Sequence, residues 1–360
     1  MPIEIDRPHI LVTGGAGFVG AHLAVRLKQS FPSVQVVAFD NLKRRGSETN
    51  ITRLALAGVE FRHGDVRNPS DLADVFPVGL IIECSAEPSV LSGYDGAPGY
   101  VIDTNLVGAL NCLEHARRTG AGFIFLSTSR VYPIHALESL AIEEAPSRFV
   151  LADYQALQGA SKHGISVDFP LEGVRSIYGA TKLAAEIIAR EYGDAFGIPI
   201  IANRCGVIAG PGQFGKADQG IFSHWMMAHY FKKPLSYIGY GGSGKQVRDL
   251  LHVDDLADLI IKQAENLRSL SGSVFNAGGG SDYSLSLREA TEICQSITGN
   301  EMPIAHVTDI RRADVPVYIT DNRKVTEATG WTPVRPPSQV LRDMYDWLRD
   351  NENQLSFLLH

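Results

Sequence analysis

Short apolar runs recur along the first two hundred residues of the chain. They are His9-Ile10-Leu11-Val12, 34–39, Val59-Glu60-Phe61-Arg62, Gly79-Leu80-Ile81-Ile82, Gly122-Phe123-Ile124-Phe125-Leu126 and 198–203. Between them the apolar positions fall at helical spacing, over 21–28 (Leu23 and Leu27 inward, His22 and Arg26 outward), about 103–118, and 178–196. Strand and helix alternating in this way predict an α/β fold, a Rossmann-type doubly wound parallel sheet. Beyond Arg204 glycine and proline become frequent and the rhythm loosens. The expected division is a dinucleotide-binding domain over 1–203, carrying an insertion at about 134–176. A smaller C-terminal substrate-binding lobe follows over 204–360, some of whose segments return to the first domain. A helix over 340–350 closes the chain. No internal repeat or low-complexity segment interrupts it.

The first run leads into Thr13-Gly14-Gly15-Ala16-Gly17-Phe18-Val19-Gly20, and a helical pattern follows at once. Glycines at three-residue spacing are common by chance; between a strand and a helix they make a phosphate cradle. Gly14 permits the tight turn, Gly17 lets backbone approach a pyrophosphate, and Gly20 lets the helix pack close to the strand. The helix N-terminus then faces the anion with free N–H groups and the positive end of its dipole. The second run ends at Asp40-Asn41, 20 residues beyond Gly20, where this fold places a carboxylate on the adenosine ribose. A carboxylate there repels a 2′-phosphate and favours NAD, although Arg44 and Arg45 leave room for one.

The remaining numbers mainly exclude. A net charge of −7 and no basic run beyond Lys43-Arg44-Arg45 argue against nucleic acid as partner. No apolar stretch is long enough for a membrane span. Met1-Pro2-Ile3-Glu4-Ile5-Asp6 lacks the layout of a signal peptide. Cys84, Cys112, Cys205 and Cys294 form no CxxC pair and read as reduced thiols of a cytoplasmic protein. His224 and His229 have no third ligand near them in sequence, so no metal is expected.

The chemistry gathers at Tyr178-Gly179-Ala180-Thr181-Lys182. Tyrosine and lysine four apart share a helical face. Lys182, beside a cationic nicotinamide, is expected to lower the phenol's pKa. Tyr178 would then take a proton from a substrate hydroxyl as hydride leaves the same carbon. The run 122–126 ends at Ser127-Thr128-Ser129, and Thr128 supplies a hydroxyl for the reacting oxygen.

Taken together, the glycine motif, Gly64-Asp65-Val66-Arg67, Asn105 with Gly108, the Ser/Thr strand end and Tyr-x-x-x-Lys resemble the extended short-chain dehydrogenases. These are the sugar-nucleotide epimerases and dehydratases, and the resemblance spans nearly the whole chain. It implies tightly held NAD, with Asp65 and Val66 near the adenine and Ser85, Ala86, Asn105 and Ser127 along the cofactor. It also implies a homodimer, or a dimer of dimers, built on the helices around 105–118 and 178–195.

Three features narrow the resemblance. The family's dehydratases carry Asp-Glu after the catalytic Thr, whereas here Ser129-Arg130 follow Thr128. Fifty residues separate Thr128 from Tyr178, more than in plain 4-epimerases. Asp218-Gln219-Gly220, Gly244-Lys245-Gln246-Val247-Arg248-Asp249 and Met344-Tyr345-Asp346-Trp347 are similar to the family's CDP-sugar 2-epimerases. Arg248 is expected to clamp a diphosphate, the alternative being an ion pair with Asp249 or Asp254. Gln219 and Gln246 would read a base edge or sugar hydroxyls. Ser129, Arg130, Arg204 and Gln213 complete the expected substrate contacts. Glu83 stands where the family usually has histidine, Val207 where it usually has a polar residue, and Gly210-Pro211-Gly212-Gln213 lacks the family's arginine. Structural roles are expected for Glu83 and Glu87. The expectation is an NAD-dependent epimerase of a nucleotide-activated deoxyhexose, acting at C2 of a CDP sugar. The alternatives are a UDP- or GDP-sugar 4-epimerase or 4-reductase, and a non-catalytic NAD-binding regulator.

Overall fold

In the computed structural model, residues 7–75, 77–94, 96–215, 219–353 and 355 are described. The N-terminal hexapeptide and Asp218 lie outside them. Among the described residues the main sheet has seven strands: β1 (His9–Thr13), β2 (Gln35–Asp40), β3 (Glu60–His63), β4 (Leu80–Glu83), β5 (Gly122–Thr128), β6 (Ile200–Cys205) and β7 (Val274–Ala277). Their order is β7-β6-β5-β4-β1-β2-β3, and every pairing is parallel. The order reverses between β1 and β4. Connections leave these two strands in opposite directions there and open a crevice at their carboxyl ends.

Side chains alternate between two cores, as a sheet covered on both faces requires. Ile10, Val12, Val36, Ala38, Ile82 and Ile124 pack on α1 (Phe18–Ser30) and the later helix 253–265. Leu11, Val37, Ile81, Phe123 and Phe125 pack on α2 (Gly108–Thr119) and α3 (Ile177–Phe196). Each such residue, once fully buried, contributes about 1.5–3 kcal/mol. The strands begin within two residues of their expected starts. The helix expected over 103–118 instead consists of Gly99–Ile102, a wide π turn Asp103–Val107, and α2.

The C-terminal half is interwoven with the first. The helix α5 (Val253–Glu265), which follows α4 (Ile221–Tyr230), packs on α1, and β7 extends the main sheet beside β6. The remainder forms a small sheet of Val207–Ala209, Val247–His252, Ser284–Ser286 and Val317–Tyr318. Against it pack α4, α6 (Leu287–Thr298) and α7 (Pro337–Asp350). The segment 134–176 folds into a short helix and two small hairpins. Leu137, Leu151, Ile165 and Phe169 pack against Val247, Val317 and Ile319. This insertion therefore buttresses the small lobe from behind.

One buried histidine ties stability to pH. The Nδ1–H of His22 on α1 donates to Phe18 O at 2.8 Å, and Arg53 donates to its Nε2 at 3.2 Å. Burial, together with the Arg53 charge, holds the imidazole down at about 4. The folded chain therefore binds fewer protons than the unfolded chain between about pH 4 and 6.5, so this group's stabilisation is lost as pH falls through that window. Chemical denaturation of wild type and His22→Gln at pH 7 and pH 5 checks this. The variant should lose less stability than wild type between the two.

Candidate active site

A cavity of about 590 Å³ lies between the carboxyl edge of the main sheet and the small lobe. On one side it is lined by Gly14, Gly17, Phe18, Val19 and Gly20. The cap residue of α1, Gly17, has no side chain to satisfy the first-turn N–H groups. A Cβ on Gly20 would stand 2.1 Å from Gly14 O, so only glycine lets the helix sit this close to the loop. These residues fit a dinucleotide's pyrophosphate. Asp40, at the end of β2, accepts hydrogen bonds from Ala16 N at 3.1 Å and Leu42 N at 2.8 Å and so braces the loop. Beside it Asn41 donates to Asp65, which pairs with Arg67 at 2.6 Å. Asp40, Asn41, Asp65 and the buried Val66 thus sit together at the ends of β2 and β3, flanking the main cavity rather than lining it.

Thr128 ends β5 and Tyr178 opens α3, and both line the cavity together with Lys182. Local sequence explains the closeness. Ser176 caps α3 by accepting from Gly179 N at 3.1 Å. A Cβ on Gly179 would lie 2.1 Å from Arg130 O, so glycine lets the helix start press against the turn after β5. The Thr128 side chain is close enough to the Tyr178 phenol to favour its ionised form. Lys182 lies on the phenol's face and lowers the phenol's pKa as expected, but burial outweighs it. Burial pushes Tyr178 above the ordinary phenol value, and Lys182, Thr128 and Arg130 only pull it part of the way back. The lysine's ammonium is also shared, since its Nζ lies 3.4 Å from Glu83 Oε2 and 4.1 Å from the centre of the Phe125 ring. Both members of this ion pair are at most 2% exposed.

Several expected contacts are spent elsewhere. Arg204 is no substrate ligand. It forms a buried ion pair with Glu186 at 2.6 Å, also donates to the Tyr132 hydroxyl and Val167 O, and does not line the cavity. Asn105 does not reach the cavity. The π turn carries it to the loop after β4, where it bonds Glu87 N, Glu87 O and Thr181 and so positions that loop. Ser85 lies behind Gly14 and does not line the cavity, whereas Cys84, Ala86, Pro88, Val90 and Leu91 of the same loop do. Ser127 faces the cavity but donates its hydroxyl to Glu186 at 3.1 Å.

The opposite wall holds Ser129, Arg130, Gln213, Gln219, Gln246 and Arg248. Gln213 is held by Ile208 O and the Ser223 hydroxyl, and Gln219 accepts from Arg44 at 2.7 Å. Gln246 donates to Ile238 O at 2.6 Å and leaves its buried Oε1 without a partner. Arg248 pairs with neither Asp249 nor Asp254; its Nη2 bonds Asp314 Oδ1 at 2.7 Å. Reading the sequence missed Arg311, Arg312 and Asp314, which join this wall. Their one visible signal was two adjacent arginines shortly before an aspartate. Among the described residues seven lysines and arginines thus line the cavity against one carboxylate, Asp314, in a chain whose net charge is −7. Such local positive potential concentrates anionic ligands.

Among the described residues, no cluster of three or more His, Cys, Asp or Glu could hold a metal, and no helix is long and apolar enough to cross a membrane. Cys84, Cys112, Cys205 and Cys294 are free thiols.

A model of the NAD dependent epimerase/dehydratase family matches residues 10–278. The chain is 30% identical to a CDP-paratose 2-epimerase of Salmonella typhi, over 94% of this chain and 98% of that one. It is 27% identical to a UDP-glucuronate 4-epimerase of Thermodesulfobacterium geofontis, over 95% and 97%. The solved structure of Pal from Bacillus thuringiensis superposes with a TM-score of 0.78 at 26% identity, covering 95% of this chain and 99% of that one.

Proposed function

We propose, from the premise that this chain belongs to the NAD-dependent epimerase/dehydratase family, that it is a 2-epimerase of a CDP-linked deoxyhexose. As a member of that family it is an NAD-dependent enzyme of sugar nucleotides. The observation that carries the finer reading is the convergence on one cavity of Thr128, Tyr178 and Lys182 with the arginine wall. Ser129 and Arg130 after Thr128 supply no acid or base for eliminating water, which favours epimerisation over dehydration. The likeness to a CDP-paratose 2-epimerase supports the base and the carbon.

When bound, NAD supplies the hydride acceptor and donor for the sugar carbon. Tyr178 takes the proton from that carbon's hydroxyl, leaving a ketone, and returns it after the sugar has presented its other face. Thr128 steadies the oxygen throughout. Lys182 would hold the cofactor ribose and favours the phenolate. No net redox change occurs. A homodimer built on α2 and α3 belongs to the same reading. These helices pack together, and the exposed Ile187 and Phe196 of α3 and Val107 just before α2 favour a covered face.

The test is incubation with CDP-, UDP- and GDP-linked sugars, followed by NMR of the recovered sugar. Inversion at C2 of a CDP sugar without added NADH is expected. Inversion at C4 of a UDP sugar, or consumption of external NADH, would replace this reading with a 4-epimerase or a reductase. No turnover despite bound NAD would leave a non-catalytic NAD-binding protein.

A further inference from the structure

Arg130 occupies an unusual place for a cation. It lies two residues beyond Thr128, in a tight turn whose first amide, Arg130 N, donates to Thr128 Oγ1 at 3.2 Å. The backbone carbonyl of the same residue presses against Gly179, next to the phenol. The guanidinium enters the cavity wall close enough to feel the charges of Tyr178, Arg248 and Asp314. Among the described residues its side chain makes one hydrogen bond, Nη1 to Ala313 O at 3.0 Å, and no ion pair. The Oδ1 of the nearby Asp314 is already taken by Arg248 Nη2 and Val315 N. Burial, reinforced by Arg248, brings Arg130 down to about 10, and the charge of Asp314 offsets only part of this. The anion that would satisfy Arg130 and Arg248 together must therefore reach within a side chain's length of Tyr178.

In a nucleotide sugar the β-phosphate oxygen is attached to C1. C2 is one bond from C1, whereas C4 is three bonds away across the ring. A phosphate held beside the phenol therefore presents the C2 hydroxyl to Tyr178 and carries the C4 hydroxyl away from it. We propose that Arg130 determines which carbon reacts, by gripping the β-phosphate jointly with Arg248 next to the Thr128–Tyr178 pair. This rests on the sugar-nucleotide reading above but concerns a separate residue and a separate contact.

Calorimetric titration of CDP, UDP and CMP into NAD-loaded wild type, Arg130→Met and Arg130→Lys tests it without requiring turnover. Arg130→Met should weaken the diphosphates about 10- to 100-fold, the loss of a charge-assisted hydrogen bond. It should leave CMP, which has no β-phosphate, unchanged. Arg130→Lys should recover part of the loss, and equal melting temperatures would confirm that the variants fold. Unchanged CDP and UDP binding in Arg130→Met would overturn the proposal, as would a wild type that binds neither diphosphate. A wild type that binds CDP through Arg130 yet epimerises nothing would refute the catalytic reading and leave the phosphate contact standing. Where turnover is present, substrates deuterated at C2 should show a primary isotope effect and those deuterated at C4 none.

Discussion

Tyr178→Phe should lower kcat by roughly 10²–10⁴-fold, the usual contribution of a positioned acid–base group, while NAD and nucleotide binding persist. The substitution removes one oxygen from a side chain that lines the cavity, so the fold should tolerate it. The direction of the pH dependence follows from the site. Burial holds the phenol above its ordinary value in the protein alone, and the reaction needs it deprotonated. Activity should therefore climb with pH on its acidic limb. Lys182→Met removes a cation that favours the phenolate, so the same limb should move to higher pH. Steady-state kinetics across pH for wild type and both variants would check this. Near-normal turnover by Tyr178→Phe would remove the phenol from the mechanism.

Glu83→Leu should be the most destabilising single change near the site. It would leave the Lys182 ammonium buried against Phe125 with no opposite charge. Breaking a buried ion pair from one side costs about 3–5 kcal/mol. Replacing both members by apolar groups of similar volume is often nearly neutral, so Glu83→Leu with Lys182→Met should recover most of that loss while remaining inactive. Denaturant unfolding of the two single variants and the double variant measures the coupling. Single variants within about 1 kcal/mol of wild type would mean that Lys182 gives up its proton, or that water reaches it. The pair also gives Glu83 the structural role that the sequence led us to expect of it. The carboxylate anchors the lysine from beneath.

Much of this was legible in local pattern. Short continuous apolar runs such as 122–126, alternating with helical patterns, read as strands buried on both faces, and β5 is buried along its whole length. Tyr178 and Lys182 share a face because four residues make about one helical turn. Gly14, Gly17 and Gly20 bear their steric duties within a few residues of one another, so their spacing between a strand run and a helical pattern exposed them. Arg204 misled because a cation after a sheet strand points equally well at ligand or at protein. Its partner Glu186 lies on α3, and only packing brings the two together. Asn105 misled similarly, since its partner Glu87 sits on a separate loop.

Chain order, strand and helix identity, the phosphate cradle and the Thr128–Tyr178–Lys182 set all depend on contacts within a turn or a strand end, and so they are written in short stretches of residues. Whether a charged side chain faces substrate or a buried counter-ion depends on segments here 66 to 175 residues apart. Arg248 finds Asp314, Lys182 finds Glu83, and Arg44 crosses the cleft to Gln219 only once the sheet has assembled. Desolvation in that assembled cavity is also what raises the Tyr178 phenol, because burial is a property of the packed molecule and not of any neighbour in the chain.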